Sequence, residues 1–220
     1  MVSRKNVHRP IAHYRKEYTL RGLTEQEVDS NPIRQFRIWF DQAVQAHVPE
    51  PTAMTLATAT RKGKPSARMV LLKHFDEHGF VFFTNYASRK GRELAENPEA
   101  ALVFHWVDLE RQVRMVGSVK KVPRRESIEY FAMRPVGSQI GAVASRQSEV
   151  IPDRDFLERN AATLTRLFAG KKIPAPSTWG GYRLDPSEVE FWQGRQNRLH
   201  DRLLYTRQKN RLWKIERLSP

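Results

Sequence analysis

The stretch FWQGRQNRLHDR, residues 191–202, sets three arginines, a histidine and an aspartate directly behind a Phe-Trp pair. On a strand, alternation puts Arg198, His200 and Arg202 on one face and Leu199, Asp201 and Leu203 on the other. On a helix, Arg195, Arg198 and Arg202 would group instead; the following LLYTR favours the strand. An Arg-His-Arg face beside Trp192 could flank a flat, electron-rich ring, the indole packing on it while guanidinium groups stack or donate. An exposed edge strand protected by charge has the same pattern, and spacing does not separate the two.

A second group of residues has the chemistry of a phosphate clamp. Arg68 and Lys73 read as members of one strand, Thr84 stands at the end of another, and Ser88-Arg89-Lys90 opens a short helical pattern. Hydroxyl, guanidinium, ammonium and free helix N–H groups meeting at a strand-to-helix junction can hold a phosphate. Taken alone, Ser-Arg-Lys is equally a solvated helix start. Tyr130 and Arg134 stand at i and i+4, so one helical face can carry both to one site. Ser138 follows just beyond a turn, and Arg134 could equally cap its own helix. No GxSxG, GxxxxGK[ST] or GxGxxG motif is present, so any phosphate must be held by side chains. HFDEH, residues 74–78, carries two histidines and two acids, but Asp and Gly are what a turn between two strands requires; no metal is assigned.

Composition narrows the classes. The 220 residues are 40% hydrophobic and 28% charged, ordinary globular usage. The formal net charge of +14 favours anionic partners, whether nucleic acid, an acidic surface or small phosphorylated ligands. Cysteine is absent, which removes disulfides, thiolate metal sites and cysteine nucleophiles and suits a cytoplasmic setting. The basic start lacks an apolar signal region, and no apolar run approaches the ~18 residues of a membrane span.

These residues need elements to position them. Ser30-Asn31-Pro32 reads as a helix start, with Ile33, Phe36, Trp39, Phe40, Ala43 and Val44 on its apolar face. From Pro51, TAMTLATAT, SARMVLLKHF and GFVFFTN are strand-like runs broken by turn residues. A short helix over 88–97, strands AALVFHWV and RQVRMVGSVKKV, and helices over 124–133 and 153–168 follow. The strands WGGYRL, VEFWQ, HDRLLYTR and LWKIERL close the chain. Without regular βαβ alternation, this pattern predicts a mainly β fold with added helices (α+β): an antiparallel, Greek-key-like barrel.

In order along the chain, RKEYTLRGL, EPTAMTLATAT, RMVLLKHFDEHGFVFFTNYASRKGREL, LERQVRMVG, YFAMRPVGSQIGAVASRQS, PSTWGGYRLDPSEVEFWQGRQNRLHDR and WKIERLSP resemble the pyridoxine/pyridoxamine 5'-phosphate oxidase family. RPxxSQIGAxxSxQS and WQGxxxRLHDR are the most specific pieces. The resemblance implies a split β-barrel homodimer with FMN at the subunit interface. The implied reaction oxidises pyridoxamine or pyridoxine 5'-phosphate to pyridoxal 5'-phosphate, O2 taking the electrons to give H2O2. It also implies a mobile N-terminal segment (1–29) ahead of one domain (30–220), and neither a nucleic-acid nor a membrane partner. Carried over by motif, the flavin would meet Arg68, Met69, Val70, Leu71, Leu72, Lys73, Phe83, Thr84, Arg89, Lys90, Gln112, Gln147, Ser148, Trp192 and Arg202. The substrate would meet Lys73, Tyr130, Arg134 and Ser138 at its phosphate and the catalytic pair Arg198 and His200 at its ring, with Arg15 and Tyr18 closing over it. Phe83 departs from the tyrosine common in the family, and Arg195 is given no role.

Overall fold

A computed structural model describes residues 17–20 and 22–220; Arg15, expected over the substrate, lies outside them. Helix α1 (Pro32–Gln45) starts where expected: the Asn31 side chain accepts from the N–H groups of Ile33 and Arg34, and Pro32 takes the first turn. Ile33, Phe36, Trp39 and Ala43 are buried, whereas Val44 is half exposed rather than part of the apolar face. Phe36 fills the barrel core, its ring about 5 Å from those of Phe75, Phe80 and Phe104. Truncating a fully buried phenylalanine of this kind costs about 3–5 kcal/mol.

Strands β1 (Ala53–Ala59), β2 (Pro65–Leu71), β3 (His74–Asp76), β4 (Gly79–Asn85), β5 (Glu99–Trp106), β6 (Arg111–Lys121), β7 (Trp179–Gln193), β8 (Asp201–Arg207) and β9 (Trp213–Arg217) form one sheet. Its order is β2-β1-β5-β6-β7-β4-β3, with β8 on β7 and β9 on β8, every pair antiparallel. This curled sheet with outer helices is the expected split-barrel architecture. The HFDEH stretch is the β3–β4 hairpin, with the Asp76 carboxylate accepting from the His78 N–H and Gly79 at φ +122°.

β7 decides the shape. The sequence pattern suggests two strands, WGGYRL and VEFWQ, but they are one 15-residue strand. One edge of β7 follows β6; the other pairs first with β4, over residues 179–184, and then with β8, over 188–193. Pro186 sits in the gap between these two partners, where its missing N–H costs no ladder bond on that edge. Opposite it, β6 shifts register at Val116/Gly117, and a Cβ on Gly117 would lie 2.1 Å from the Asp185 carbonyl. The close approach therefore requires glycine there.

Helix α2 (Arg89–Glu96) is capped by the buried Ser88 side chain, which accepts from the Gly91 N–H. α3 (Arg124–Met133), α4 (Val136–Ala144) and α5 (Arg154–Leu167) lie beyond β6. With Trp179 they build a second, smaller core around Phe131, Ile140 and Ile173. α4 is not evident from the sequence, because Pro135 and two glycines interrupt its apolar spacing; Pro135 stands at its N-cap.

Candidate active site

Two groups of the expected residues come together, at opposite ends of β7. At its start lies a cleft of about 390 Å³, within the size range of small-ligand sites. Met69, Val70 and Leu71 from β2, Lys73 just past it, Phe83 and Thr84 from β4, and Lys90 from α2 line it. Tyr130 and Arg134 from α3 complete it with Gln147. β2 ends at Leu71, so Lys73 is not in the same strand as Arg68; its N–H bonds the Val81 carbonyl at the β3–β4 hairpin.

The cleft has an aromatic wall and cationic corners. The Phe83 ring stacks on Tyr130 at 4.1 Å and on Trp179 at 5.3 Å, a role in which the missing phenol hydroxyl is not needed. The Arg134 guanidinium lies 4.9 Å over the Trp179 ring. Its Nη1 is buried without a hydrogen-bond partner among the described residues, and burial pulls its pKa down, partly offset by Tyr130. An unpartnered buried guanidinium nitrogen facing a cleft suits an anionic ligand. Arg134 also stands at the C-cap of α3, its backbone N–H bonding the Phe131 carbonyl.

Lys90 closes a small network at the other corner. Its ammonium donates to Thr84 Oγ1 and to Gln147 Oε1, each at 3.2 Å, and Thr84 donates to the same Gln147 oxygen at 3.1 Å. Desolvation chiefly, and then the charge of Arg68, lower the Lys90 pKa, while Glu93 raises it. Arg68 and Arg89 stand beside this corner, held by Glu93.

Not every expected residue faces the cleft. Leu72 is a core side chain. Ser138 lies exposed in the first turn of α4, its N–H bonded to the Pro135 carbonyl. Ser148, at φ +74°, lines a neighbouring cavity with Val150 and Phe156. Conversely Asn85, Gly141, Ala142, Ser145 and Trp179 line the cleft without being singled out in the sequence. Trp179 alone left a signal there, an aromatic ahead of two glycines at a strand start.

The second group sits at the far end of β7, some 13 residues and ~40 Å of strand away. Gln112, Trp192 and Arg202 are cross-strand neighbours in one row, on β6, β7 and β8. The Trp192 and His200 rings are 4.6 Å apart, and Tyr18 meets both edge-on at about 5.5 Å. Thr19 and Leu20 anchor this segment through N–H bonds to the Glu110 carboxylate. Buried Glu190 takes Arg202 Nε at 2.8 Å and Arg114 at 2.6 Å. The strand alternation expected over 198–202 does not hold: β8 begins only at Asp201, after a 3-10 turn with Asn197 and Arg198 at positive φ. Arg195, given no role from the sequence, pairs with Asp201 at 3.5 Å, and Asp201 also takes Arg217.

Residues 40–168 match the family model described as pyridoxamine 5'-phosphate oxidase, and residues 179–220 match the pyridoxine 5'-phosphate oxidase C-terminal dimerisation region. The chain belongs to the pyridoxamine 5'-phosphate oxidase family. Among curated relatives, the pyridoxine/pyridoxamine 5'-phosphate oxidase of Nostoc punctiforme is 61% identical over 96% of this chain and 98% of its own. That of Paraburkholderia xenovorans is 57% identical over 96% and 99%. PhzG from Burkholderia lata, solved with tetrahydrophenazine-1-carboxylic acid, is 35% identical with a TM-score of 0.87 over 93% of this chain and all of its own. A related FMN-binding protein of N. punctiforme, 18% identical over 84% of this chain and 97% of its own, with a TM-score of 0.67, shares the fold. As a member of the pyridoxamine 5'-phosphate oxidase family, the chain is an oxidoreductase of vitamin B6 metabolism that carries a dimerisation region. Among the described residues, no helix is long and apolar enough to cross a membrane, and no group of three or more His, Asp or Glu is arranged to hold a metal.

Proposed function

We propose that this protein oxidises pyridoxamine and pyridoxine 5'-phosphates to pyridoxal 5'-phosphate, using FMN, with O2 as acceptor and H2O2 as by-product, in the cytoplasm. The observation that carries this reading is the half-buried Arg134 guanidinium over Trp179, whose buried Nη1 has no partner among the described residues and which shares the cleft with Tyr130 and Lys73. A phosphate monoester on a flat heteroaromatic ring complements that arrangement of forked cation, ammonium and ring face.

FMN fits the residues left over. Lys90, Thr84 and Gln147, flanked by Arg68 and Arg89, form a second cationic corner for its phosphate, and Met69, Val70 and Leu71 offer surface along β2. When bound, FMN supplies the redox chemistry, taking hydride from the substrate carbon and passing electrons to oxygen. The chain's own part is positioning. Arg134, Lys73 and Tyr130 hold the substrate phosphate; His200 and Arg198 face the substrate ring; Trp192 and Arg202 border the flavin.

Within one subunit those last residues stand at the opposite end of β7 from the cleft. A homodimer in which the far end of one protomer's β7 covers the cleft of the other solves this, and the match to a dimerisation region over 179–220 supports it. Residues 30–220 would act as one domain, tied together by the continuous sheet. Small phosphorylated ligands then account for part of the +14 charge without a nucleic-acid partner.

The deciding experiment is to record the visible spectrum of the purified protein and add pyridoxamine 5'-phosphate without oxygen. A yellow protein that bleaches rapidly supports the oxidase. Yellow protein that does not bleach points to another substrate on the same fold, as the likeness to PhzG allows, and colourless protein that binds RNA tightly would overturn the reading.

A further inference from the structure

Glu93 is the most heavily bonded buried acid beside the cleft. Only 4% of it is exposed, yet it faces three cations. Its Oε1 takes Arg89 Nε at 2.9 Å, and its Oε2 accepts from the hydroxyls of Thr58 and Ser66. Those hydroxyls in turn accept from Arg68, Thr58 from Nη1 and Ser66 from Nη2, and Arg68 Nη2 stands 3.4 Å from the carboxylate itself. Each hydroxyl is thus fixed as a relay, accepting from Arg68 and donating to Glu93. Burial acts to raise the Glu93 pKa, but the bonds from Ser66, Thr58 and Arg89 and the charge of Arg68 outweigh it and hold it at about 2.

The charges make a simple count. Arg68, Arg89 and Lys90 carry three positive charges and Glu93 one negative, leaving two positive charges beside the cleft. A phosphate monoester carries close to two negative charges at neutral pH. Without the carboxylate, three cations would repel one another, and two arginine side chains would have to be ordered at the moment of binding. We infer that Glu93 is a positioning residue for the cofactor phosphate, holding Arg68 directly and through Thr58 and Ser66, and Arg89 directly, so that with Lys90 they meet a dianion ready-formed. This inference rests on the FMN reading above.

The test is to strip the full-length protein of flavin and titrate it with FMN and with riboflavin, which lacks the phosphate, following quenching of flavin fluorescence. Glu93→Gln is expected to weaken FMN roughly 10- to 100-fold while riboflavin changes by less than about threefold, so the preference for FMN collapses. Ser66→Ala, which removes one relay hydroxyl and no charge, is expected to give a smaller loss of the same kind, and it carries the test if Glu93→Gln does not fold. Equal weakening of both flavins, or retention of the FMN preference in both variants, makes Glu93 a purely structural acid. Wild-type protein that binds neither flavin overturns the cofactor reading and this inference with it; wild-type that prefers FMN beside variants that still do overturns the role of Glu93 alone.

Discussion

The backbone N–H of Arg195 donates to Nδ1 of His200 at 3.1 Å. An accepting Nδ1 fixes the neutral ring with its proton on Nε2, so His200 can donate from the nitrogen that is not tied to the backbone. Desolvation and then the charge of Arg198 lower its pKa below 6.5, partly opposed by Asp201. The folded chain therefore takes up this proton less readily than the unfolded one. Its contribution to stability is complete above pH 6.5 and is lost as pH falls through the folded value. Nitrogen NMR of ring-labelled protein is expected to show the Nε2–H tautomer and a midpoint below 6.5; a higher midpoint would mean that a carboxylate, not Arg198, dominates the ring.

Arg198 sits at φ +64° on an exposed turn, where its charge acts on His200. Arg198→Ala is expected to lower kcat/KM about 100-fold or more while the FMN dissociation constant moves by less than about threefold. Steady-state kinetics beside a flavin titration separate the two effects. Unchanged turnover with both substrates removes Arg198 from the site.

Replacing Arg134 with Met pits binding against stability. The variant loses the charged partner for the substrate phosphate, so KM for pyridoxamine 5'-phosphate is expected to rise about 10- to 100-fold. It also removes a buried nitrogen that has no partner among the described residues, and Met retains much of the packing on Trp179. Tm by calorimetry is therefore expected to stay level or rise. A large drop in Tm would show that Arg134 serves the fold rather than the ligand.

Separation of the two groups along β7 makes a prediction about mixed dimers. If each site joins the cleft of one protomer to the far end of β7 from the other, Arg134→Ala and Arg198→Ala damage complementary halves. Each homodimer is then impaired at both sites, whereas the heterodimer has one site with both defects and one intact site. Random mixing during co-expression should restore about a quarter of wild-type activity. Activity no greater than that of the separate variants would place both residues in the same protomer's site.

Local rules in the sequence had considerable reach. Asn31-Pro32 marked the start of α1, Asp76 to Gly79 the hairpin, and Ser88 the cap of α2, because caps and turns are interactions between residues a few positions apart. The spacing of Tyr130 and Arg134 foretold that they would share a face for the same reason. The stretch 198–202 failed where a local conformation, positive φ at Arg198, interrupted an alternation that composition alone suggested. Val44 and Leu72 show the same limit in packing: both are apolar, but one faces solvent and the other the core.

What the sequence by itself determined is the inventory of cations, rings and hydroxyls, the split barrel's strands, and the ordered motifs that mark the family. Only the tertiary structure decided that β7 is continuous, that its ends hold two separate parts of the proposed site, and that Glu93 and Glu190 are the acids bracing the arginines. Glu190 meets Arg114 across 76 positions and Glu93 meets Arg68 across 25. Pairings of that kind depend on how strands register and on which helix covers them, and a side-chain spacing of two or four residues carries no information about either.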